Sequence, residues 1–140
     1  MYVLTRIAVA LIIGLMSYQS QGQNNYTITV IVKNFDSNDG KAFIGLYNTE
    51  AHFLNKRYKA AKSKIKNKQC TLTFENVPAG AYAVSMFHDE NDNSKMDTNF
   101  FGIPKEDYGC SNDAKGFMGP PKWEDAKFEL KENTSLTIKL

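Results

Sequence analysis

Only two cysteines, two histidines and one tryptophan occur in the 140 residues. Two cysteines allow one disulfide at most, Cys70 to Cys110. The two imidazoles, His52 and His88, with no serine in a Gly-x-Ser-x-Gly elbow, argue against nucleophilic catalysis. Charge of one sign is also lacking: 17 Lys+Arg stand against 15 Asp+Glu, net +2, so no global field recruits nucleic acid or a membrane surface. Long hydrophobic runs are missing as well. The longest, Ile7 to Met16, falls well short of the ~20 apolar residues that span a bilayer. What is present, 42% hydrophobic residues with balanced charge, is too apolar for a disordered chain and enough for one ordinary domain.

Residues 1–22 read as a signal peptide. Arg6 precedes the apolar run, polar residues follow it, and small Ser20 and Gly22 stand at −3 and −1 of a cut before Gln23. The expectation is a secreted or periplasmic protein in which residues 23–140 form one domain, with no membrane insertion after signal removal. Export permits a Cys70–Cys110 bridge, although Cys70 alternates with Leu72 and Phe74 and reads equally well as a small core residue.

Period-two alternation marks most of the rest. Tyr26 to Phe35 places Tyr26, Ile28, Val30 and Val32 on one side. Asp36 to Gly40 is rich in turn residues, and Lys41 to Tyr47 resumes β-type composition, so the two runs read as a hairpin. Thr49 to Tyr58 is weakly helical, with Thr49 as the cap. Lys62, Lys64, Lys66 and Lys68 put four ammonium groups on one strand face. That row either protects an edge strand from pairing or, with Lys56, Arg57 and Lys59, makes a polyanion-binding face. Cys70 to Phe74 and Ala81 to His88 are further strands, and Trp123 to Leu130 and Ser135 to Leu140 form a final pair. About seven antiparallel strands with almost no helix predict an all-β, immunoglobulin-like or transthyretin-like sandwich.

More than thirty residues between His88 and Trp123 lack a strand or helix signature yet carry Phe100, Phe101, Ile103, Tyr108, Phe117 and Met118. Loops of that length are usually functional or disordered, and the aromatics favour an ordered loop packed over one end of the sandwich. Trp123 and these aromatics read as core packing ahead of a sugar-stacking platform. The loop opens with Asp89, Asn91, Asn93, Lys95 and Asp97, oxygen-bearing groups at places 1, 3, 5, 7 (carbonyl) and 9 of a turn. Alternate short side chains are how a tight turn supplies the six to eight oxygens that Ca²⁺ takes. Ser94 replaces the expected glycine and Phe100 the expected bidentate Glu, so Glu106, Asp107 or Asn99 would complete the shell. The alternative is a series of Asx turns. Zinc, through His88, Asp89 and Cys110, is disfavoured by the lack of a second histidine at ligand spacing.

The series Phe74-Glu75-Asn76-Val77-Pro78-Ala79-Gly80-Ala81-Tyr82, His88 to Asn93 with Asp97, Gly102 to Gly109, Ser111-Asn112, Gly119-Pro120-Pro121 and Ala126–Phe128 resembles the domain of unknown function 2141 (DUF2141) family of exported bacterial proteins. The resemblance implies a secreted or periplasmic β-sandwich without an established activity. Cys110 departs from the aromatic usual there. The Asp/Asn loop is also similar to calcium loops of B-type domains of bacterial surface proteins. The C-terminal Tyr-Arg-Gly-Ser of transthyretin-like hydrolases is absent.

The leading expectation is therefore a non-enzymatic module that binds an unidentified protein or glycan and carries a Ca²⁺-type ion on Asp89, Asn91, Asn93, Lys95 and Asp97. Two alternatives stand beside it. One is a glycan-active hydrolase or lyase using His88 with Asp89, Asp97 or Glu106; the other is a polyanion binder through Lys56 to Lys68.

Overall fold

Ile28, Val30 and Val32 of β1 (Asn25–Lys33) are fully buried, while Thr29 and Ile31 between them are half-buried. This is the alternation expected of a strand with one face on a core. In the computed structural model, which describes residues 22–140, seven further strands follow: β2 (Lys41–Tyr47), β3 (Lys59–Lys64), β4 (Gln69–Pro78), β5 (Gly80–Asp89), β6 (Tyr108–Cys110), β7 (Phe128–Leu130) and β8 (Thr134–Lys139). The signal-peptide segment lies outside the described residues but for Gly22. No helix among the described residues is long and apolar enough to cross a membrane.

The strands form two sheets, one ordered β4-β1-β8 and the other β3-β2-β5-β6, with β7 also paired to β5. Between them lies a core of Ile28, Val30, Val32, Ile44, Val84, Met86 and Ile138. The expected all-β sandwich is what forms, with eight strands and with β8 running parallel to β1, Val30 opposite Leu136.

Three sequence-based expectations of strand partners are corrected. β1 and β2 are not a hairpin: β1 pairs β4 and β8, while β2 pairs β3 and β5, so Asp36 to Gly40 carries the chain from one sheet to the other. Trp123 to Leu130 is not one strand. Trp123–Ala126 forms a single helical turn, α1, closed by the Lys127 N–H donating to the Trp123 carbonyl at 2.8 Å, and only Phe128–Leu130 is extended. Glu124 and Asp125 in its first turn suit the positive end of a helix. Nor do β7 and β8 pair with each other, because they belong to different sheets.

The lysine row breaks too. Lys62 and Lys64 lie in β3, whereas Asn67 and Lys68 take φ of 54° and 56° in a turn. The Lys66 and Gln69 backbones bond to each other on either side of that turn. Two consecutive positive φ values are the geometry of the tightest hairpin turns, and they end the alternation of the four ammonium groups. The weakly helical stretch reduces to one 3-10 turn, Glu50–His52, without a side-chain cap from Thr49.

The two cysteines do not meet. Both are free and buried, Cys70 on β4 in the core between the sheets and Cys110 on the outer face of the larger sheet. That outer face has its own apolar cluster, in which Tyr47, Ala83 and Cys110 are covered by Trp123 and Ala126 of α1. β5 is consequently apolar on both faces, and the long loop is its lid.

Candidate functional site

Register fixes what the outer face of the larger sheet presents. Lys62, Phe43, Phe87 and Tyr108 lie side by side across β3, β2, β5 and β6, and the next row brings Ala60, Gly45, Ser85 and Cys110 together. Phe43 and Phe87 stack with ring centroids 5.2 Å apart, a pairing worth about 0.5–1.5 kcal/mol beyond its burial. The Arg57 guanidinium lies over the Phe43 ring, 4.7 Å from its centroid. Gly45 makes room for it, since a Cβ there would approach Arg57 Cδ to 3.0 Å.

Over this floor the long loop leaves a groove of about 700 Å³, bounded by Leu54 and Arg57 on one side and by Phe101, Ile103, Met118 and Pro121 on the other. The loop is ordered by its own hydrogen bonds, but its aromatics do not pack inward as the sequence suggested. Phe101 is 83% exposed and Met118 96%, and Phe100 and Phe117 beside them are also almost fully exposed. The reason is positional: the turns that carry Phe101 and Met118 stand at the rim of the groove. Trp123 itself is buried against Phe53, at 5.8 Å between ring centroids, and offers no stacking platform.

At the end of β5 the Asp/Asn loop begins. Asp89 is fully buried; its Oδ1 accepts the Asn93 N–H at 3.0 Å and its Oδ2 accepts the Ser94 N–H at 2.8 Å, with Lys62 Nζ 3.7 Å away. A buried carboxylate is tolerated only when it is bonded and paired in this way. Asp97 takes Asn91 Nδ2 on one oxygen at 2.6 Å and Asn93 Nδ2 on the other at 2.8 Å. The amide oxygens of Asn91 and Asn93 accept the N–H groups of Asn93 and Lys95 at 3.2 and 2.9 Å. Three of the five predicted ligands, Asn91, Asn93 and Asp97, thus share one bonded cluster, Asp89 joins it through the Asn93 backbone, and Lys95 contributes its N–H.

Ser94 has φ 65°, the left-handed conformation for which glycine is favoured at this place of a calcium loop. The residues expected to complete the shell are occupied elsewhere. Glu106 is buried and accepts the N–H groups of Glu90 and Asp97 at 3.2 and 3.1 Å, clamping the two ends of the turn. Asn99 Oδ1 accepts from Phe101 and Ile103. Asp107 sits near Asp36; burial first, then that neighbouring carboxylate, pushes its pKa up. Among the described residues no group of three or more His, Cys, Asp or Glu is arranged to hold a metal.

Asp92, which is not among the alternate ligand places, binds Lys41 at 2.8 Å and Lys62 at 2.9 Å. Hydrogen bonds from these two ammonium groups hold its carboxyl below the usual range. Lys62 is thereby committed to the loop, also donating to Ser94 Oγ at 2.7 Å.

His88 is fully buried, edge-on to Phe35, with Nε2 2.7 Å from the Asp39 carbonyl and Nδ1 without a hydrogen-bond partner, 3.7 Å from Glu90 Oε1. With His88 enclosed and Glu106 bonded to two backbone N–H groups, the pair presents no open acid–base site. Alternation alone does not place Arg57, Ser85, Phe101 and Met118 around one groove. The available signal was β5, apolar on both faces, which requires a second cover on the larger sheet.

The family described as an uncharacterized protein conserved in bacteria (DUF2141) matches residues 30–139, and the chain belongs to it. No curated protein and no solved structure matches the chain.

Proposed function

We propose that this member of the DUF2141 family is an exported, non-enzymatic binding module that takes its ligand in the groove on the outer face of the larger sheet. The observation that carries the reading is the groove itself, about 700 Å³ and lined chiefly by apolar side chains that include exposed Phe101, Ile103 and Met118. Concave apolar sites with a few polar groups are the usual form of a ligand site, and contiguous exposed apolar surface marks an interaction surface. The hydroxyls of Ser85 and Tyr108 are few for a glycan, so the lining favours an apolar ligand. The absence of an acid–base pair at the groove supports a binding role, and burial pushes the Cys110 thiol up, away from the nucleophilic thiolate. Export rests on the signal-like pattern of residues 1–22.

The neutral fluorophore N-phenyl-1-naphthylamine should bind saturably. Phe101→Ser with Met118→Ser should weaken that binding at least fivefold while leaving the melting temperature unchanged. Binding indifferent to both substitutions would remove the groove from the function.

A second reading concerns a Ca²⁺-type ion on Asp89, Asn91, Asn93, the Lys95 carbonyl and Asp97, serving to fix the turn that leads into the groove wall. It is favoured by the meeting of Asn91, Asn93 and Asp97 within 2.6 to 2.8 Å, which gathers a carboxylate and two side-chain amides at one place. An ion bound to the native state alone at a thousandfold excess over Kd adds about 4 kcal/mol. Melting in Ca²⁺ should therefore exceed melting in chelator, and Asp97→Asn should abolish the difference. Superimposed curves over a wide range of Ca²⁺ would dismiss the ion.

A further inference from the structure

Among the residues that line the groove, Arg57 carries the one full charge. Its guanidinium is already placed, stacked on Phe43 at 4.7 Å and running over Gly45. The ion pairs that lysines make among the described residues engage Lys41, Lys62 and Lys127, and none includes Arg57. Arg57 is exposed and has the Tyr47 hydroxyl as a polar neighbour, and a planar, weakly hydrated cation beside an apolar channel is complementary to a carboxylate that carries an apolar body. The rest of the lining narrows that body. Besides Arg57, the only side-chain polar groups are the Ser85 and Tyr108 hydroxyls and the Cys110 thiol, too few to satisfy the backbone amides of a bound peptide. The thioethers of Met96 and Met118 adapt readily to a flexible chain.

We propose that the groove binds a long-chain alkyl carboxylate, its head on the Arg57 guanidinium and its chain over Phe87 between Ile103 and Met118. The proposal rests on the groove being the binding site and adds the class of ligand. Binding in this way covers the apolar rim and pairs the one charge without requiring other hydrogen bonds.

The experiment compares dodecanoate with dodecanol, each below its aggregation limit, by displacement of N-phenyl-1-naphthylamine at low salt. Dodecanoate should bind about tenfold tighter or more, the usual scale of a charge-assisted contact, and the preference should shrink as salt rises. Arg57→Gln should erase the preference by weakening dodecanoate far more than dodecanol, and Arg57→Lys should keep part of it. Equal affinity of the unaltered protein for both amphiphiles, or a preference that survives Arg57→Gln, would overturn the proposal and leave the groove reading standing. Failure of the fluorophore and of both amphiphiles to bind would overturn both. Retention on phosphatidylglycerol vesicles without binding of monomeric dodecanoate would overturn it in favour of a membrane surface reached by Phe100 and Phe117.

Discussion

The Ser111 hydroxyl accepts the Val84 N–H at 2.9 Å and donates to the Ala126 carbonyl at 2.5 Å. Val84 lies where the edge of β5 has no strand beside it, since β7 pairs residues 80–82 and β6 pairs residues 85–87. One buried side chain therefore fills the gap in the ladder and ties α1 to the sheet. Ser111→Ala would leave two buried backbone groups without this partner, at a cost of about 1–3 kcal/mol. Urea unfolding should show that loss, and hydrogen exchange of the Val84 amide should speed up more than that of the β1 amides.

Gly40 and Asp89 meet where the crossover passes the end of β5. Gly40 has φ 61°, and a Cβ there would run into the Asp89 carbonyl and the Glu90 backbone. Gly40→Ala should cost about 1–3 kcal/mol through backbone strain alone, and more through the clash. Asp89→Ala should cost about 1–3 kcal/mol, because the Ser94 N–H loses its acceptor and the Asn93 N–H keeps only its longer bond to Asn91 Oδ1. Asp89→Asn, which keeps one acceptor oxygen, should cost less. Thermal melts of the three variants in chelator, where an ion makes no contribution, check the order.

Two carboxylates of the long loop should move stability in opposite directions with pH. The folded state raises the pKa of Asp107 above its usual 3.8, through burial and then through Asp36. Its favourable contribution is therefore complete below the unfolded value and lost as pH rises through the folded one. Asp107→Asn should stabilise at pH 7, by under about 1 kcal/mol because solvent screens the site, with no gain near pH 3. Asp92 is held low by Lys41 and Lys62; its contribution is present above the unfolded value and lost as pH falls through the folded one. Asp92→Asn should destabilise slightly at pH 7. Denaturant midpoints from pH 3 to 8 give both signs.

Period two made the strand faces legible and left their partners undetermined. Ile28, Val30 and Val32, and likewise Cys70, Leu72 and Phe74, declare a buried side by alternation, and those faces are where the sequence places them. Alternation is silent on whether β2 turns back on β1 or crosses to another sheet, because either route buries Ile44 and Leu46. β6 escaped notice since Tyr108–Cys110 is too short to show a period. Trp123 and Phe128 read as one run because a single helical turn after Pro120-Pro121 has no periodic signature of its own. In the Asp/Asn loop, spacing located the cluster of Asn91, Asn93 and Asp97, while the destinations of Glu106, Asn99 and Asp92 depend on tertiary approach. Arg57 and Met118 line one groove although 61 positions separate them, and no local pattern encodes that meeting.

Cys70 and Cys110 should report separately on the two sides of the larger sheet. Cys70 is 6% exposed in the core between the sheets, Cys110 is 1% exposed beneath the loop and α1, and burial pushes both thiols up. Thiolate is the reactive form, so Ellman's reagent at pH 8 should label neither quickly in the native protein and two per chain in denaturant. A disulfide found by mass after purification without reductant would contradict this arrangement. Where opening limits labelling, its rate follows the stability of whatever covers the thiol. Ser111→Ala loosens only the outer cover, so it should accelerate labelling of Cys110, followed in a Cys70→Ala background, about 5- to 150-fold for a loss of about 1–3 kcal/mol. Cys70, followed in a Cys110→Ala background, should respond less, because reaching it requires the two sheets to part. Equal acceleration of both would mean that the loop, α1 and the central core open as one unit.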